Sequence, residues 1–217
     1  NNSITYKNLD VIEIGYGISL RPLALLASEV YRNSDISCFM PKGCSDGDFF
    51  DQDDDVLVAR MHKAISIIQF KLEGQTILRN PDFDMEDRLL LDKINYEAKT
   101  VMIQGNEYAL RDCDFPTIDR DHPYELTQQE AEVMQYLKNA FMRSEKLQRH
   151  ARFLFEKGEI YTVFNQNLLF HGCIPLNEDG TFMRFPAAGN KCGKALLDHC
   201  NLLARQGYFA KEGSDAR

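Results

Sequence analysis

Tryptophan is absent, and so are a Cys-x-x-Cys pair, an excess of basic residues and any long apolar run. Without a stretch approaching the ~20 apolar residues of a membrane-spanning helix, a transmembrane protein is not expected. Lys and Arg number 25 against 33 Asp and Glu, a net charge of −8, which argues against non-specific nucleic-acid binding because that needs a basic face. The first seven residues, Asn1 to Lys7, lack the basic-then-apolar pattern of a secretion signal, so a cytoplasmic protein is expected. The six cysteines (38, 44, 113, 173, 192 and 200) read as reduced thiols. Cys192, His199 and Cys200 match no zinc-ligand spacing. Apolar residues make up 44% of the 217, an ordinary globular composition that excludes a disordered or collagen-like chain. An initiating Met is also missing, which suggests a processed chain or an excised piece.

What is present reads first as helix. Gly15-Tyr16-Gly17 lacks the third glycine and preceding strand of a dinucleotide fingerprint and reads as a tight turn. Ser19 can cap the helix that follows, with Pro22 in its first turn and Leu20, Leu23, Ala24, Ala27, Val30 and Tyr31 at helical spacing. Residues 41–55 hold aspartates at 46, 48, 51, 53, 54 and 55 without an EF-hand frame, so they read as a solvated loop leading into a helix N-terminus. Leu57, Met61, Ala64, Ile65, Ile68 and Leu72 predict a long helix from Val56 to about Leu78, closed by Pro81. His62 within it reads as a packed or surface histidine.

Residues 86–98 look helical through Leu89, Leu90 and Ile94, and a hairpin is expected around Gly105-Asn106. The polar stretch from Asp112 to Pro123 reads as a surface crossing. Thr127-Gln128-Gln129-Glu130 is a capping box, and Val133, Leu137, Phe141, Leu147, Ala151 and Leu154 keep helical period up to Lys157-Gly158, as one helix or as two with a break near Ser144. Arg143, Lys146 and Arg149 on its polar face read as solvated, though they could hold a phosphate.

After Gly158 the pattern changes. Ile160 to Phe164 is a strand by composition, Asn165-Gln166-Asn167 a turn, and Leu168-Leu169-Phe170 an apolar strand of the kind covered on both faces. His171 ends that strand and Gly172 follows, which would let a metal or substrate approach the backbone. A neutral imidazole held at a strand terminus is a candidate metal ligand, and a merely hydrogen-bonded histidine is the alternative.

The segment from Leu168 to Leu176 resembles the strand-His-Gly element of calcineurin-like metallophosphatases. Tyr136 to Phe141, Ser144 to His150, His171 to Gly180 and Gly15 to Leu23 together resemble the class III fructose-1,6-bisphosphatases of bacteria. The resemblance implies an α/β (α+β) fold: a partial metallophosphatase-like sheet carrying a large, mainly helical insertion. Residues 1–157 would be the insertion or lid, with one hairpin, and residues 158–217 a core segment. It implies hydrolysis of the 1-phosphate of fructose 1,6-bisphosphate in gluconeogenesis, with a pair of Mn2+ ions making a hydroxide nucleophile. His171 is the metal ligand that carries over. None of the superfamily's Asp-x-His, Gly-Asp-x-x-Asp-Arg-Gly, Gly-Asn-His-Asp/Glu and late Gly-His motifs is present. The expectation is therefore an internal fragment, inactive alone, whose open sheet edge favours a homo-oligomer. A metallophosphatase for another phosphoester, and a non-catalytic helical regulatory or interaction module, are the competing readings.

Overall fold

In a computed structural model, which describes residues 1–41, 52–211 and 213–214, the chain is mixed α and β, with two small antiparallel sheets. It falls into two compact units, Asn1–Ser144 and Glu145–Arg217. The cut lies at the helix break near Ser144, ahead of the boundary at residue 157 expected from the sequence.

The first unit opens with α1 (Asn2–Thr5), α2 (Asp10–Tyr16) and α3 (Arg21–Val30). Gly17 ends α2 in the left-handed region, φ 67°, where a side chain would be strained, so the Gly15-Tyr16-Gly17 turn is a helix stop. Ser19 Oγ accepts from the Arg21 N–H at 3.2 Å, but the residue at the cap position of α3 is Leu20, so the expected Ser19 cap is displaced by one residue. The long helix is α4 (Gln52–Arg79), and Lys7 binds its acidic start, 2.6 Å to Asp55 and 3.1 Å to Asp54. Aspartates 46, 48 and 51 lie outside the described residues.

The core forms where α3 and α4 pack together with α5 (Gln128–Arg143). Leu23, Leu26, Ala27 and Tyr31 meet Val58, Met61, Ala64 and Ile68, with Val133 and Leu137 beside them. Each of the Leu, Ile, Val and Met side chains contributes roughly 1.5–3 kcal/mol by leaving water. A smaller cluster joins Ile77 near the end of α4 to Leu89, Leu91 and Tyr124.

Residues 86–98 are not a helix. Glu86–Arg88 and Leu91–Lys93 are single 3-10 turns, and β1 (Ile94–Asn95) starts a sheet in which it pairs with β2 (Thr100–Ile103), which pairs in turn with β3 (Asn106–Ala109). Leu89 and Leu91 are buried by packing in the second cluster, not by sharing a helical stripe. The β2–β3 turn centres on Gln104-Gly105, φ 49° and 80°, one residue earlier than expected. Both positions are left-handed, as a two-residue turn matching strand twist requires.

The stretch 112–123 is tied down rather than loose. Lys63 and Lys71, both fully buried on α4, reach it from below. The Lys63 ammonium lies 2.8 Å from Asp112 and donates to the Asp35 carbonyl at 2.7 Å. Lys71 donates to the Thr117 carbonyl at 2.6 Å and to Glu130 Oε2 at 2.7 Å. Glu130 is itself fully buried and completes the expected capping box, its carboxylate accepting from Thr127 N–H while Thr127 Oγ1 accepts from Glu130 N–H.

In the second unit α6 (Glu145–Lys157) runs into β4 (Tyr161–Phe164) and β5 (Asn167–Phe170), and α7 (Gly193–Phe209) closes the chain. Phe155 of α6 stacks on Tyr208 of α7, ring centres 4.0 Å apart.

Candidate functional site

The candidate site grows from the β4–β5 hairpin. Tyr161 pairs with Phe170, Thr162 with Leu169, Val163 with Leu168 and Phe164 with Asn167. The two-residue turn is Asn165-Gln166, with φ 49° and 64°. Asparagine tolerates that region better than most residues, which explains why a turn forms here without glycine.

Tyr161 ties the hairpin to α7. Its hydroxyl donates to Asp198 Oδ1 at 2.6 Å, and Lys194 reaches Asp198 Oδ2 at 2.7 Å, one helical turn before it. Hydrogen bonds from Lys194 and then Tyr161 hold the Asp198 carboxyl below the ordinary carboxylate range. The same carboxylate, followed by the Tyr161 contact, raises Lys194.

His171 follows β5 directly and is exposed. Gly172 sits at φ 97° with open space where a Cβ would be, so its backbone conformation, not crowding, demands glycine. The chain then turns back on itself: Leu176 bridges to Phe182, and Asp179 accepts from the Thr181 N–H at 2.9 Å and from its hydroxyl at 2.6 Å. Those bonds hold the Asp179 carboxyl low. Phe185 bridges to Lys191, and α7 begins at Gly193.

The strand before His171 is not interior: Leu168, Leu169 and Phe170 are 45%, 52% and 44% exposed. Their apolarity matched a strand covered on both faces, but among the described residues nothing covers either face fully. Nor does His171 have companions, because the described residues contain no group of three or more His, Cys, Asp or Glu side chains placed to hold a metal ion. A two-metal centre needs several carboxylate and imidazole donors, and one imidazole does not fit that requirement.

The other histidine of interest is structural. His62 Nδ1 lies 3.0 Å from the Phe39 carbonyl, which can only accept, so Nδ1 carries the proton. Nε2 lies 3.0 Å from Thr5 Oγ1, and the Phe39 ring packs edge-on at 5.4 Å. Arg143, Lys146 and Arg149 are exposed. A cavity of about 1110 Å3 in the first unit is lined mainly by apolar side chains, among them Ile77 of α4, Val101 of β2, Leu91 from the turn before β1 and Tyr124 from the segment before α5. Sequence reasoning missed it because its wall includes the 86–98 segment, read as helix.

A profile of the Firmicute fructose-1,6-bisphosphatase family matches residues 1–217. A protein of Clostridium novyi (strain NT) named fructose-1,6-bisphosphatase class 3 is 50% identical over 216 residues, 99% of this chain and 32% of its own length. One of Alkaliphilus metalliredigens (strain QYMF), with the same name, is 52% identical over 98% of this chain and 32% of its own. Another, from Listeria innocua serovar 6a, is 47% identical over 213 residues. The chain thus spans about a third of the length of these relatives. No solved structure matches it.

Proposed function

Since the chain belongs to the Firmicute fructose-1,6-bisphosphatase family, we propose that it is a segment of a longer metal-dependent phosphatase that removes the 1-phosphate of fructose 1,6-bisphosphate. The observation that carries this reading is identity near 50% across almost the whole chain to proteins of that name, against one third of their length. The second unit would be part of the metallophosphatase core and the helical first unit an insertion that acts as a lid or contact surface. His171 would supply one donor to a manganese pair whose other ligands stand elsewhere in the longer protein. That assignment agrees with its exposed position at a strand end. The enzyme would act in the cytoplasm, in gluconeogenesis; among the described residues, no helix is long and apolar enough to cross a membrane.

Two measurements test the reading. The 217-residue chain alone, given manganese and fructose 1,6-bisphosphate, is expected to release only trace phosphate. In the full-length enzyme His171→Ala should lower kcat at least ~100-fold and weaken manganese binding, because loss of a ligand removes charge stabilisation at the reacting phosphate. Full activity in that variant removes His171 from the metal centre, and robust turnover by the chain alone contradicts the fragment reading.

A further inference from the structure

The β4–β5 hairpin loses its backbone ladder just before His171. A two-residue turn closes on a hydrogen-bonded pair, here Phe164 with Asn167, and bonded pairs alternate with unbonded ones from there. Thr162 with Leu169 is therefore bonded, and Tyr161 with Phe170 is not. The pairing ends at that point: among the described residues no backbone hydrogen bond joins Ile160 to His171. A strand end without ladder bonds frays. His171 is exposed, so packing of its own ring does little to fix it.

What replaces the ladder comes from α7. Opposite Phe170, the residue before His171, the Tyr161 hydroxyl donates to Asp198 at 2.6 Å. Lys194 holds the second oxygen of that carboxylate at 2.7 Å, and its ammonium lies 5.7 Å from the centre of the Tyr161 ring. A hydroxyl bonded to an ionised carboxylate is one of the stronger tethers a neutral side chain can make. The lead-in to β4 is tied to the same helix, since Arg205 donates to the Gly158 carbonyl at 2.7 Å. Beyond His171 the chain returns to the start of α7. The Met183 N–H donates to the Pro175 carbonyl at 3.1 Å, Leu176 bridges to Phe182, and the Phe182 ring lies against Gly193, where a Cβ would stand 3.4 Å from it.

We propose that the first turns of α7 are the platform that positions His171. Tyr161, Asp198 and Lys194 are positioning residues that fix the strand end on one side of it, and Phe182 on Gly193 fixes the returning loop on the other. None of these side chains has to touch substrate; they act through the backbone that carries His171. The effect on turnover rests on the phosphatase reading above, while the geometry does not. A reacting group must be held to a fraction of an ångström, so a slack strand end lowers turnover more than it lowers substrate capture.

Tyr161→Phe and Asp198→Ala each remove the tether, and both are tested in the full-length enzyme. Each is expected to lower kcat about tenfold with KM within about twofold of the parent value, and the double variant to match the singles, because all three break one contact. In amide hydrogen exchange, the peptide from Phe170 to Cys173 should exchange ~10-fold faster in the variants, while peptides of α6 keep their rates. Unchanged kcat, losses that multiply in the double variant, or a change confined to KM overturns the proposal, and so does unchanged exchange at His171. The exchange readout is independent of turnover. Faster exchange in a protein that hydrolyses no fructose 1,6-bisphosphate keeps the platform and ends the phosphatase reading, and an active enzyme indifferent to both substitutions does the reverse.

Discussion

Two lysines and a glutamate hold much of the first unit's geometry. Lys71 and Glu130 are both fully buried and 2.7 Å apart, and Lys71 also donates to the Thr117 carbonyl. Glu130→Ala should destabilise the unit by about 3–5 kcal/mol, because it strands a buried ammonium as well as removing the cap partner. Adding Lys71→Met to Glu130→Ala should recover much of that loss, and denaturant titration of the single and double variants measures the coupling. Gly74 offers a second test. A Cβ there would lie 2.1 Å from the Tyr124 ring, whose hydroxyl donates to Asp92 at 2.5 Å and accepts from Leu91 N–H at 3.1 Å. With the ring fixed at its far end, Gly74→Ala is expected to cost about 1–3 kcal/mol, seen as a lowered denaturation midpoint. Unchanged stability would mean that Tyr124 moves freely.

The elements were legible wherever local chemistry decided them. The Thr127–Glu130 box, the break at Ser144, the stop at Gly158 and both hairpins follow from caps and turn residues. Thr127→Ala should cost about 1 kcal/mol, measured by thermal melting at neutral pH. What the sequence hid depended on partners distant along the chain. Leu89, Leu90 and Ile94 mimic a helical stripe, but Leu89 and Ile94 are placed by packing with Tyr124 and Ile77. Nothing near Lys63 and Lys71 in the sequence marks them as buried, because Asp112, Thr117 and Glu130 reach them only through the fold. The anchor of β4 on α7 adds a pH dependence. Asp198 is held low chiefly by Lys194, so its contribution is complete above the ordinary carboxylate range and disappears as pH falls through the lowered value. Lys194 is raised, so its share persists until pH passes above the lysine range. The Tyr161–Asp198 contact, followed by tyrosine ring resonances, should be constant from pH 5 to 9 and weaken under stronger acid; a change near pH 6 would point to another group.

At the scale of the molecule, two units with different interiors emerge. The first has a packed core of helices α3, α4 and α5; the second leaves most of its large apolar side chains in contact with solvent. The strand-His-Gly motif was legible as a location, since His171 does stand just past β5, yet its chemistry was not, because the described residues hold no companion ligands. Motif reading finds a donor's position along the chain, while a metal centre needs donors converging in space. The interior lysines have one more use. Amine acylation requires an accessible, uncharged nitrogen, and at Lys63 and Lys71 access comes only when the first unit opens. Acetic anhydride footprinting should leave these two sites untouched while surface lysines such as Lys138 react, turning the pair into built-in clocks for how often that helical body breathes.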